Sequence, residues 1–144
     1  MTNPQCNNND IPQYLIGNEI CIYLMARLAV NGYDYSCILR DQGVRNVVVY
    51  GVGKIGSILV GLLKLYGVSI PYCIDRDINK NCNLGIDVRR TAKDIDEDID
   101  MIIISSDLFY YEILNDIREY SDKLVLRASD LIEELSIYPI YDLE

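Results

Sequence analysis

Residues 47–67 read VVVYGVGKIGSILVGLLKLYG, and their pattern decides the fold. Asn46 to Tyr50 read as a continuous apolar strand, as expected in a parallel sheet covered on both faces. Gly51-x-Gly53-x-x-Gly56 follows at once. Ile55, Ile58, Leu59, Leu62, Leu63 and Tyr66 then recur with a 3.6-residue period, which predicts a helix over Lys54–Tyr66 stopped by Gly67. Each glycine has a physical task at such a strand-to-helix turn. Gly51 permits the tight turn, Gly53 removes a Cβ where a phosphate would approach, and Gly56 lets the helix pack closely. The helix start offers free N–H groups and the positive end of its dipole to an anion, and Lys54 lies in the loop itself.

Strand and helix patterns alternate on the carboxyl side. Tyr72–Ile74 reads as the second strand, with Pro71 tolerated at its beginning and Asp75 at its end. Arg76–Asn83 is a polar loop, Ile86–Val88 a short strand, and Thr91–Asp98 one or two helical turns. Met101–Ile104 is a buried strand. Helix Leu108–Tyr120 is expected to present Phe109, Ile113, Ile117 and Tyr120 on one face, with Asp107 as its cap. Lys123–Leu126 is the last strand and Ser129–Leu135 a short helix. On the amino side, Asn18–Val30 and Ser36–Gln42 read as helices, ended by Asn31-Gly32 and Gly43, with Ser36 as an N-cap.

The expected class is therefore α/β: a doubly wound, Rossmann-like parallel sheet of about five strands in the order 3-2-1-4-5, with added N-terminal helices. Its parts are a flexible tail over 1–16, a helical extension over 17–44, the nucleotide-binding domain over 45–136, and a C-terminal tail over 137–144. MTNPQCNNNDIP lacks a basic region leading into an apolar one and reads as tail, not signal peptide. Tyr138 and Tyr141 in the other tail could cover an apolar patch or a neighbouring subunit.

Composition removes several function classes. The chain has no histidine, so Ser-His-Asp, Cys-His and His-based zinc chemistry are excluded. Five irregularly spaced cysteines fit reduced thiols in the cytoplasm. Net charge is −9, unevenly spread: residues 1–72 carry five basic and four acidic side chains (+1), residues 73–144 eight and eighteen (−10). Such a surface repels nucleic acid and anionic lipid, and no apolar run is long enough for membrane insertion. The acidic run Asp94, Asp96, Glu97, Asp98 and Asp100 reads as a solvated helix face, without the ligand alternation of a calcium loop. Tyr120 and Lys123 stand at Y-x-x-K, a poor match to the Y-x-x-x-K of short-chain dehydrogenases.

Asp75 lies 19 residues after Gly56, where a carboxylate would accept hydrogen bonds from a ribose diol. Arg76 could serve a 2′-phosphate, but Asp75 and Asp77 flank it, which favours NAD over NADP. Ser105-Ser106-Asp107 follows the fourth strand at the edge where ligands bind in such sheets, and capping and ligand contact are both open to it. The expected ligand-binding set is Gly51, Gly53, Lys54, Ile55, Gly56, Asp75, Arg76, Ser105 and Ser106, with no metal ligands and no catalytic residue assigned. The plain alternative is that the glycines serve backbone geometry alone.

The run VVVYGVGKIGSILVGLLKLYGVSIPYCIDRD, followed by a short polar loop, a short strand and DIDMIIISS, resembles the small Rossmann-type domains of bacterial polysaccharide and sugar-nucleotide biosynthesis proteins. Examples are the N-terminal domain of sugar-nucleotide N-acyltransferases and the cofactor core of membrane-associated sugar-nucleotide dehydratases. The resemblance covers residues 37–135. It implies phosphate contact by Gly51, Gly53 and Gly56, and ribose or base contact by Asp75. It does not extend to the acyltransferases' β-helix and catalytic histidine, nor to the dehydratases' substrate domain.

The expectation that follows is a stand-alone nucleotide-binding module, with NAD or NADP as cofactor and a nucleoside-diphosphate sugar as the alternative ligand. It would act as a sensor or subunit in sugar-nucleotide or polysaccharide metabolism. The alternative is a small NAD-dependent oxidoreductase or sugar-nucleotide-modifying enzyme completed by a partner subunit. A homodimer is expected for a domain this short.

Overall fold

In the computed structural model, residues 21–132 are described, apart from 24, 28, 31, 33, 35 and 83. Strands β1 (Val47–Tyr50), β2 (Cys73–Ile74), β3 (Val88–Arg89), β4 (Met101–Ile104) and β5 (Leu124–Arg127) form one sheet in the order β3-β2-β1-β4-β5. Every pair is parallel; Val49 lies beside Cys73 and Ile103, and Ile104 beside Arg127. The chain order reverses between β1 and β4, so the carboxyl ends of these two strands flank the crevice where open α/β sheets bind ligands.

The central strands are buried at every residue, and their side chains divide by period two between the faces. Val47, Val49, Cys73, Met101 and Ile103 point into one cluster, built with Leu59 and Leu63 of α3 (Lys54–Leu65), Ile38 and Leu39 of α2 (Cys37–Asp41), and Met25. Met25 belongs to α1, helical at 21–23, 25–27 and 29–30; Leu131 and Ile132 come from α5, residues 128–132. Val48, Tyr50, Ile74, Ile102 and Ile104 face the other way, against Ile117 of α4 (Tyr110–Arg118). Helices thus cover both faces, and the fold is the doubly wound α/β class.

Several local expectations are corrected. Thr91–Asp98 is a run of turns, with Asp94 in the left-handed region at φ 65°. Ala92, Ile95 and Ile99 still pack onto the second cluster, so their spacing reflects burial without a helix. The acidic run is accordingly not a helix face. The Asp100 carboxylate accepts the N–H groups of Arg45 and Asn46 at 2.9 Å each and anchors the start of β1. α4 begins at Tyr110 and ends at Arg118, which leaves Phe109 and Tyr120 outside it and exposed. Phe109 N–H is taken by the Ser106 hydroxyl, while the Asp107 carboxylate accepts from Ser129. Ser36 stands at its expected position but makes no cap bond; its hydroxyl donates to Asp34. The tails over 1–16 and 137–144, including Tyr138 and Tyr141, lie outside the described residues.

Candidate functional site

The glycine loop divides into a half that the protein satisfies and a half that it leaves open. Gly51 N–H donates to Ile74 O at 2.7 Å and Val52 N–H to Asp75 Oδ2 at 3.0 Å. Gly51 O accepts the Ser105 hydroxyl at 2.8 Å, and Val52 O accepts that of Ser57 at 3.0 Å. The start of α3 follows. Gly53 is its N-cap and supplies no side chain, and the first intrahelical bond there runs from Ser57 N–H to Gly53 O. The amides of the first turn are therefore left with no side-chain cap.

The three glycines are not equivalent. Gly51 has φ +103°, and a Cβ there would lie 2.4 Å from Ser105 Oγ. At Gly56 a Cβ would lie 1.7 Å from the carbonyl oxygen of Gly51, so this glycine lets the helix sit on the loop itself. At Gly53 a Cβ would meet nothing within 4 Å among the described residues. Its φ of −70° is open to any L-residue. Packing among the described residues accounts for Gly51 and Gly56; it does not account for Gly53.

The Gly53 position opens into a cavity of about 810 Å³ on the carboxyl edge of the sheet. Its floor is the glycine loop with Ser105 and Ser106. One wall is the segment after β2, namely Asp75, Arg76, Asp77 and Lys80. The other is the start of α4 and its approach: Leu108, Phe109, Glu112 and Ile113. Ile22 of α1 also lines it. The volume is that of a site for a ligand of cofactor size.

All nine residues expected at the site lie on this edge, and each lines the cavity. Their roles differ from one another. Ser105 is buried and its hydroxyl holds Gly51, whereas the Ser106 hydroxyl accepts the Phe109 N–H ahead of α4, so each serine has a structural partner. Both carboxylate oxygens of Asp75 accept backbone N–H groups, from Val52 and from Asp77, yet each keeps a lone pair for a further donor. Arg76 turns toward α4, 2.8 Å from Asp116 and 3.9 Å from Glu112. The Tyr50 hydroxyl donates to the other oxygen of Asp116 at 2.7 Å. Burial, then the Asp116 hydrogen bond, push the Tyr50 phenol well above the usual range, so it stays protonated as a donor. Bonding to Asp116 raises Arg76 further. Among the described residues, Lys54 and Lys80 form no ion pair.

The sequence reading missed Tyr50, Asp116 and the apolar wall at Leu108, Phe109 and Ile113. Their placement near Gly53 depends on the β1–β4 crossover, and only the general rule for the carboxyl edge pointed there. The structure also narrows the chemistry. Burial, with the neighbouring Cys82 thiol, pushes Cys73 up to about 12, and burial with Asp34 raises Cys37, so neither is an activated nucleophile. Tyr120 is exposed, and Lys123 donates to Glu97 O at 2.6 Å. Among the described residues there is no cluster of three or more metal-ligating side chains, and no helix is long and apolar enough to cross a membrane.

Comparison of the chain with protein-family models, with curated proteins and with solved structures returned no match.

Proposed function

We propose that the cavity binds a nucleotide through its phosphates, ribose and base, and that NAD(H) is the first ligand to test. The observation that carries this is Gly53 itself, beside an uncapped helix N-terminus. Packing among the described residues does not require a glycine there, while a phosphate approaching the first-turn amides does. The remaining walls support the same order of ligand parts. Asp75 keeps a lone pair on each oxygen for a ribose diol, and the apolar surface of Leu108, Phe109 and Ile113 suits a base. Arg76 is committed to Asp116, and Asp75 and Asp77 stand beside it, so a 2′-phosphate is disfavoured and NAD is preferred to NADP.

A nucleoside-diphosphate sugar offers the same phosphate, ribose and base, and is the second ligand. The protein acts as a nucleotide-binding sensor or subunit, cytoplasmic and dimeric, that works alongside enzymes of sugar-nucleotide metabolism. Calorimetry with NAD, NADP, a UDP-sugar and CoA tests the ligand class. Binding of NAD or the UDP-sugar below millimolar concentration is expected, with NADP weaker than NAD. Absence of heat from all four at millimolar ligand would sink the proposal. Size-exclusion chromatography with light scattering tests the dimer, and a mass of 16.5 kDa would refute it.

A further inference from the structure

The segment between β2 and β3 is built around one side chain. Arg90, directly after β3, donates through Nη1 to the carbonyl oxygens of Asp75 at 3.2 Å, Asp77 at 2.6 Å and Lys80 at 2.8 Å. Through Nη2 it donates to Ile78 O at 3.2 Å and Asn81 Oδ1 at 3.1 Å. The same loop closes on itself by side-chain turns: Asp77 N–H to Asp75 Oδ1 and Asn79 N–H to Asp77 Oδ1, each at 2.9 Å. Asp75, Asp77, Asn79 and Asn81 alternate along the chain as oxygen ligands do in loops that wrap a hard cation. Here a guanidinium occupies the centre. It is permanently charged and presents five donors in a fixed fork, which suits several converging carbonyls better than an ammonium does.

Arg90 does not line the cavity, but Asp75, Asp77 and Lys80 do. Asp75 also grips Val52 in the glycine loop, so the Arg90-centred loop and the glycine loop are joined through one carboxylate. We propose that Arg90 is the positioning residue of the ribose end of this site, an internal cation that fixes Asp75 and the 75–81 loop before ligand arrives. This rests on the nucleotide reading above, and it adds that affinity depends on a residue outside the cavity.

The test uses the whole chain as wild type, Arg90→Ala, Arg90→Lys and Asp75→Ala. Amide hydrogen exchange of Asp77, Asn79 and Lys80 is measured without ligand, and NAD affinity by calorimetry. Loss of charged hydrogen bonds should speed exchange and weaken NAD binding by about tenfold or more in Arg90→Ala, and by less in Arg90→Lys. Adding about 10 mM guanidinium, far below denaturing concentrations, should restore Arg90→Ala in both measurements and leave Asp75→Ala unrestored. Rescue of one variant and not the other is a result that general destabilisation would not produce. Unchanged exchange in both Arg90 variants, or an affinity loss that guanidinium does not reverse, would overturn the proposal. If Arg90→Ala does not fold, Arg90→Lys decides by the same two measurements. If wild type binds no nucleotide, the nucleotide reading falls, and the exchange rates alone decide whether Arg90 holds the loop.

Discussion

Gly53 and Gly56 are three residues apart, and opposite outcomes are expected when each gains a side chain. At Gly53 an alanine methyl, at φ −70°, meets no described residue within 4 Å, so none of them has to move. Two small terms oppose each other. Restricting the unfolded chain stabilises by about 0.4–1 kcal/mol, and replacing glycine by alanine at an N-cap costs a similar amount. Stability of ligand-free Gly53→Ala should stay within about 1 kcal/mol of wild type, or about 4 °C in Tm. At Gly56 the methyl would lie 1.7 Å from a backbone oxygen, and the loop or helix must move. Overpacking of this kind costs about 3 kcal/mol, which lowers Tm by roughly 10 °C. Binding separates the pair in the other direction. Gly53→Val should fold and fail to bind, since its side chain fills the approach to the first-turn amides. Differential scanning calorimetry without ligand and titration with NAD give both quantities. A ligand-free Gly53→Ala that loses several kcal/mol would show that the glycine serves the fold, and a Gly53→Val that binds as wild type would refute the reasoning outright.

Three further outcomes follow from the same contacts. Asp75→Asn should weaken NAD by about tenfold and narrow the preference over NADP, read from the ratio of the two Kd values, because a charge that opposes a 2′-phosphate is gone. Hydrogen bonds from Asn46 and Arg45 hold the Asp100 carboxyl below its usual value. Its contribution to stability is therefore present above the unfolded carboxyl pKa of about 3.9 and is lost as pH falls through the lower folded value. Acid unfolding of Asp100→Asn should lack that component, and an identical profile would contradict it. The Tyr50 phenol is raised, chiefly by burial, so its contribution is present below the free phenol pKa of about 10 and lost at higher pH. Phenolate absorbance should accordingly show a late-titrating class that shrinks in Tyr50→Phe.

The sheet was legible because its signal is local: apolar runs at Asn46–Tyr50 and Met101–Ile104, glycines at a strand end, and an apolar helical period over Lys54–Tyr66. The glycine loop and Asp75 were legible for the same reason, since strand ends fix where they stand. The segment Thr91–Asp98 was misread as helical turns; Ala92, Ile95 and Ile99 pack onto the sheet without one. Phe109 and Tyr120 were assigned to a buried face because the period alone does not say where α4 stops. The Tyr50–Asp116 bond joins residues 66 positions apart, and Arg90 reaches back 9 to 15 positions to its five acceptors. Such pairings exist only after the chain has folded, and no periodicity encodes them.

The most direct test of the central claim is amide chemical-shift mapping of the whole chain during titration with NAD. Saturable shifts are expected at Gly53–Gly56, Asp75–Lys80, Ser105–Ser106 and Leu108–Ile113, and their loss in Gly53→Val. No shifts at millimolar NAD, or shifts centred away from the carboxyl edge of β1 and β4, would contradict it.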